Sequence, residues 1–180
     1  MKKQKIQLLA LGVILVLVLI AFLVLRHRQE TESESDQEYT SYSVLSLSED
    51  EPGCFTVINE GEIFVFMKGE DGWESEGRTA DMLNQDTLEA MLAQVVSLRA
   101  DDRIEDVSDL SEFGLMQPQV SVILTMADGT EYQLAFGDYN EMMGVYYLGL
   151  NNSNVVYTTP LNIKGSFQIT WEELETDSSS

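Results

Sequence analysis

Val120-Ser121-Val122-Ile123-Leu124-Thr125-Met126-Ala127-Asp128-Gly129-Thr130-Glu131-Tyr132-Gln133-Leu134-Ala135-Phe136 is the stretch whose reading decides the fold. Val120, Val122 and Leu124 alternate with Ser121, Ile123 and Thr125, the period of two that marks a half-buried strand. Asp128-Gly129 is a strong short-range hairpin signal, and Tyr132, Leu134 and Phe136 return on the partner strand. Gly137-Asp138 predicts a further turn. Beyond it, Val145–Leu150 and Val155-Val156-Tyr157 flank Asn151-Asn152-Ser153-Asn154, which predicts another hairpin.

Working back toward the N-terminus, residues 109–118 read as a short helix and its stop. Asp109 caps it, Gly114 suits the left-handed position that ends it, and Pro118 prevents continuation. Gln117, before the proline, is pushed into extended backbone that leads into the strand. Leu88, Met91, Leu92 and Val95 recur at helical spacing, so a one-faced helix is predicted over roughly residues 86–98, with Asn84 or Asp86 as its cap. Phe55-Thr56-Val57-Ile58 and Ile63-Phe64-Val65-Phe66-Met67 flank Asn59-Glu60-Gly61-Glu62 as a hairpin, and Trp73 opens or continues a third strand. Toward the C-terminus, a short helix near Leu161–Lys164 and then a strand over Phe167–Thr170 are expected. Six or seven strands with one main helix and one short one define an α+β class: an antiparallel, hairpin-rich sheet domain over residues 43–174.

The termini read differently. Leu8–Leu25 is an unbroken apolar run, and Ile6 with Gln7 extends it. Residues 6–25 as a helix would span about 30 Å, the hydrocarbon thickness of a bilayer. The run is too long for a signal-peptide core, no A-x-A cleavage site precedes a cut, and it ends in Arg26-His27-Arg28. Residues 1–28 are therefore expected to be a cytoplasmic stub and an uncleaved transmembrane anchor, with the lipid bilayer as partner. Lys2, Lys3 and Lys5 outnumber Arg26 and Arg28, which places the N-terminus in the cytoplasm and the domain outside it, at the cell membrane. Residues 29–42, acidic and nearly free of aliphatic side chains, are expected to be a flexible linker, and residues 175–180 a disordered tail.

After residue 28, 31 acids face five bases, a net charge of −26. Such a field repels nucleic acid, whose binding rests on basic side chains neutralising phosphate. His27 is the sole histidine and Cys54 the sole cysteine, which excludes Ser-His-Asp, Cys-His and HExxH chemistry from the domain. No catalytic, metal or cofactor residue is assigned. Asp101, Asp102, Glu105, Asp106 and Asp109 are the best oxygen cluster for Ca²⁺, but they lack the EF-hand spacing and read better as solvated surface. Trp73, Phe113, Tyr132, Tyr146, Tyr147 and Tyr157 are candidates for a carbohydrate- or peptide-binding face, against the simpler reading of half-buried sheet aromatics.

Asp109-Leu110, Phe113-Gly114-Leu115, Pro118, Asp128-Gly129, Gly137-Asp138, Tyr146-Tyr147 and Val156-Tyr157 occur in an order that resembles the bacterial domain of unknown function 4340. Upstream, Phe64-Val65-Phe66, Trp73 and a helix before Arg103 extend the resemblance over roughly residues 54–165. It implies one N-terminal anchor, a domain outside the cytoplasm, and, from some relatives' gene neighbours, transporter components. Many relatives carry the unit more than once, whereas this chain carries one copy. The expected role is a non-enzymatic extracytoplasmic binding or scaffold module, an accessory subunit of an envelope or transporter complex. The alternative is a carboxylate-dependent cell-envelope hydrolase.

Overall fold

The computed structural model describes residues 41–49 and 51–176. Its strands are β1 (Tyr42–Ser43), β2 (Pro52–Asn59), β3 (Glu62–Lys68) and β4 (Trp73–Glu74), followed by helix α1 (Gln85–Val96). Then come β5 (Arg99–Ala100), β6 (Asp102–Ile104), β7 (Val120–Met126), β8 (Glu131–Asn140), β9 (Val145–Leu150) and β10 (Val156–Pro160). Short helices α2 (Leu161–Gly165) and α3 (Trp171–Leu174) end the domain, and single 3₁₀ turns occupy Ala80–Met82 and Leu110–Phe113.

Tight turns set the registers. Glu60 and Gly61 both have positive φ and make a two-residue hairpin turn whose twist matches β2 and β3, while Asn151 and Asn152, also at positive φ, bend the longer β9–β10 connection, where Ser153 N–H donates to Leu150 C=O at 3.0 Å. The large sheet is antiparallel throughout, in the order β4-β3-β2-β7-β8-β9-β10-β6, and β1 pairs with β5 separately. Two meanders, β2-β3-β4 and β7-β8-β9-β10, thus meet at the β2–β7 seam.

The connections cover the sheet unequally. Because β4 and β6 lie on opposite edges, the chain between them, with α1, crosses one whole face. Leu88, Met91, Leu92 and Val95 of α1 bury there against Phe55, Phe66, Val122 and Leu134. Phe167, Ile169 and Leu174 complete this core from the C-terminal side. On the other face, the segment between β6 and β7 returns over β8–β10 only, where Leu115 packs with Ala135 and Val156 beside Phe113 and Tyr147. Nothing among the described residues crosses that face of β2 and β3.

Local chemistry explains α1. Asn84 Oδ1 accepts from Thr87 N–H at 3.1 Å and satisfies one of the orphan donors of the first turn. At the other end, Leu47 N–H donates to Val96 C=O (2.8 Å) and Val44 N–H to Leu98 C=O (2.9 Å), so the N-terminal strap closes the helix. Asn84→Ala should lower stability by about 1 kcal/mol. Chemical denaturation reads this out, and a loss below about 0.3 kcal/mol would mean the cap contributes little.

Several expectations need correction. Gly137-Asp138 is not a turn: β8 runs through it with a bulge, because two residues there face one on β9 between the pairs Phe136–Leu148 and Tyr139–Tyr146. The turn comes later, where Gly144 takes positive φ. No strand forms over residues 167–170. Phe167 and Ile169 are used as plugs for the core, Asn59 Nδ2 holds Ile169 C=O (3.2 Å), and the chain goes into α3 instead. The strand at Trp73 is the expected one; the strand and helix numbers exceed the expectation because β1 and β5, with two residues each, β6, with three, and α3, with four, are too short to leave a periodic pattern. Glu175, expected in the tail, pairs across a β-bridge with Leu83, and Thr176 N–H donates to Met82 C=O. Among the described residues, no helix is long and apolar enough to cross a membrane. The run expected to do so, residues 6–25, lies outside them, as do the linker up to residue 40 and residues 177–180.

Candidate functional site

Lys164 is the starting point. Lys, Glu, Arg and Asp are almost never fully buried unless paired. Yet Lys164 is only 7% exposed, the one charged side chain buried among the described residues. It stands in α2, immediately after β10, and its Nζ donates to Gly137 C=O at 3.3 Å. The ammonium also lies over the Tyr146 ring, 4.6 Å from the centroid. Burial pushes the Lys164 pKa below its ordinary value, and the negative charge of Asp138 offsets part of that. No carboxylate comes within ion-pair distance of it among the described residues.

The β8 bulge builds the wall. It turns Gly137 C=O toward Lys164 and sets Asp138 beside the loop that follows Leu110–Phe113. That loop is shaped by Asp109, whose Oδ1 accepts from Ser111 N–H (2.8 Å), and by Gly114, whose φ of 69° ends the turn. Between loop, bulge and α2 lies a cavity of about 400 Å³. Lys164, Asp138, Ser111, Gln117 and Gln119 give it polar groups, and Met116 and Phe136 an apolar wall. This is the size and mixture typical of small-molecule sites. An ammonium has three donors and no acceptor, so Lys164 keeps donors in hand for an anionic group entering the cavity.

The aromatic side chains expected to form one face are divided. Trp73 is buried in the main core, edge-on to Phe55 at 4.9 Å. Tyr132 and Tyr157 pack partly buried against that core. Phe113 and Tyr147 meet edge-to-face at 4.9 Å on the opposite side of the sheet, and Asn140 Nδ2 donates to the Tyr147 hydroxyl. Of the six, Tyr146 alone touches Lys164. The acidic stretch between residues 101 and 109 gathers no metal-binding group among the described residues. Within it, Arg103 pairs with Glu105 at 2.7 Å, both well exposed, an arrangement worth about 0–1 kcal/mol. Arg99 bonds Ser41 instead. Burial pushes the Cys54 thiol up, opposed by its hydrogen bond with Thr56 and reinforced by Glu131, away from the thiolate that nucleophilic chemistry needs.

Sequence reasoning missed Lys164. One signal was available: it is one of five bases after residue 28, standing among Leu161, Ile163 and Phe167.

An antiparallel sheet with few helices, and a loop–bulge–lysine pocket at one end of it, define the class: a small α+β domain. The model of the domain of unknown function DUF4340 matches residues 73–176, more than half of the chain, and the chain belongs to that family. The match takes in the whole pocket and begins at β4, after the β2–β3 hairpin. No curated protein and no solved structure matches the chain.

Proposed function

We propose that the chain is a membrane-anchored, extracytoplasmic binding module whose ligand enters the Lys164 pocket through a carboxylate or other anionic group. The ammonium of Lys164 at the cavity wall, carried on a side chain buried along its length, is the observation that carries this reading. Residues 6–25 are its anchor, the N-terminus is cytoplasmic, and an accessory place in an envelope or transporter complex fits a tethered module without a catalytic constellation. A carboxylate-dependent hydrolase needs two acids pushed in opposite directions across a cleft. The carboxyls with displaced values among the described residues, Asp109 and Asp128, are both lowered by hydrogen bonds, from Ser111 and Thr130 respectively, in separate exposed turns.

Differential acylation tests the pocket. In the full-length chain, succinate should slow acetylation of Lys164 by acetic anhydride and leave exposed Lys68 unaffected. Equal protection of both lysines, or none of either, defeats the anionic-ligand reading.

The lowered Lys164 pKa has its own consequence. Between that lowered folded value and the ordinary value near 10.4, the unfolded chain binds more protons at this site than the folded one. Stability contributed by this group therefore rises with pH across that window. The stability difference between wild type and Lys164→Met should shift in favour of wild type as pH climbs from neutral to about 10. Urea titrations at several pH values read it, and a difference that stays flat or falls contradicts it.

A further inference from the structure

The β2–β3 hairpin leaves part of its outer edge unused. Its two-residue turn makes Asn59–Glu62 a hydrogen-bonded pair, and antiparallel alternation then aims the backbone groups of Phe64 and Phe66 at β2. The N–H and C=O groups of Ile63 and Val65 therefore point away from the sheet. β4 meets only Met67 and Lys68, so among the described residues no strand lies beside Ile63 and Val65. Their side chains lie on the part of that face, over β2 and β3, that nothing among the described residues crosses. Ile63 is 60% exposed, Val65 39% and Met67 54%, and half-buried Ile58 and Ile123 continue the same surface. Open edges with alternating apolar side chains are templates for an added strand.

Charge decides what fits. Exposed Glu60 and Glu62 close one end of the open edge, and Glu74 stands at the other, opposite Met67. Glu131 ends the row that runs from Met67 through Cys54 and Thr125. With a net charge of −26 after residue 28, two copies of this chain repel, whereas a basic segment is attracted. We propose that β3 is a docking strand: it takes an extended segment of a partner protein, apolar at alternate positions and flanked by Lys or Arg, as an additional antiparallel or parallel strand. Backbone groups of Ile63 and Val65 supply the ladder, and Ile63, Val65 and Met67 supply the contact face.

An alternating valine–threonine peptide with lysines at both ends is the probe, and its counterpart with glutamates at both ends is the control. Hydrogen–deuterium exchange is followed on the full-length chain in mild detergent. The lysine-flanked peptide should protect the outward amides of Ile63 and Val65, with protection weakened by salt, and the glutamate-flanked peptide should bind about tenfold more weakly or worse. Val65→Pro removes an outward donor that the β2 ladder does not use, so it should abolish protection and leave the hairpin intact. Val65→Lys keeps the donor, adds a like charge against the probe, and should also abolish it; if the proline variant does not fold, this variant decides. Absence of protection, equal binding of both peptides, or protection that survives Val65→Lys overturns the proposal. Concentration-dependent self-association that Val65→Lys abolishes also overturns it, because the occupant would then be a second copy.

Discussion

Phe55→Ala should remove about 3–5 kcal/mol of stability, a large share of the roughly 5–15 kcal/mol available to a domain of this kind. Phe55 is fully buried at the middle of β2, next to the seam between the two meanders. Its ring stacks on Phe66 at 4.7 Å and meets Trp73 in a T-shaped contact at 4.9 Å. Truncation removes the transfer free energy of the ring and opens a cavity that strands on both sides prevent from collapsing. Aromatic pairs add about 0.5–1.5 kcal/mol each beyond area burial, and two are lost here. Equilibrium urea unfolding of the full-length chain, followed by tryptophan fluorescence, reads the change. A midpoint shift equivalent to less than about 1.5 kcal/mol would show that the Phe55–Phe66–Trp73 cluster is not tightly packed.

Gly137→Ala should be comparably severe for a different reason. The backbone of Phe113 lies so close to Gly137 that a Cβ there would fall on the Phe113 carbonyl oxygen, far inside van der Waals contact, with Leu115 side-chain carbons about 3.0–3.2 Å away. A carbonyl in a tight turn cannot swing aside as a flexible side chain can. The Leu110–Phe113 turn must lift off β8, taking Leu115 from the small core it makes with Ala135 and Val156. Overpacking of this kind costs typically 1–3 kcal/mol and more where backbone is the obstacle. It should also open the Lys164 cavity, since Gly137 C=O and the displaced loop both line it. Succinate protection of Lys164 should therefore fall together with stability. An alanine variant with unchanged unfolding midpoint and unchanged protection contradicts this account of the wall.

What was legible in the sequence was what neighbours decide. The alternation of Val120, Val122 and Leu124, the helical spacing of Leu88, Met91, Leu92 and Val95, and the caps at Asn84 and Asp109 all describe interactions within a few residues. Asp109 and Gly114 do bracket a turn of helix as their chemistry requires. Gly137-Asp138 misled because a glycine before an aspartate signals a turn locally, whereas here glycine answers a crowded approach by a loop some two dozen residues earlier in the chain. Phe167 and Ile169 misled because alternation describes any extended segment with one side buried, ladder or no ladder. The aromatic face failed for a related reason. Tyr146 and Tyr147 are adjacent in β9 and so point to opposite faces of the sheet, one toward Lys164 and the other toward Phe113. Lys164 itself became visible only once α2 was folded back over the bulge.

The seam between β2 and β7 has a further consequence. It pairs Asn59 with Val120 and Pro52 with Met126, residues more than sixty positions apart, while nearly every other pairing in the sheet joins strands adjacent in the chain. Each meander can form from local contacts, but neither can share a core until that long loop is closed. Of the two long-range pairings in the sheet, β2 with β7 and β6 with β10, the former closes the longer loop and alone joins the two meanders, which makes it the natural slow step of folding. Until it happens, both flanks of the future seam are unprotected edges, so the chain's exposure to aggregation is set by how soon residues 120–126 become available to residues 52–59 during synthesis.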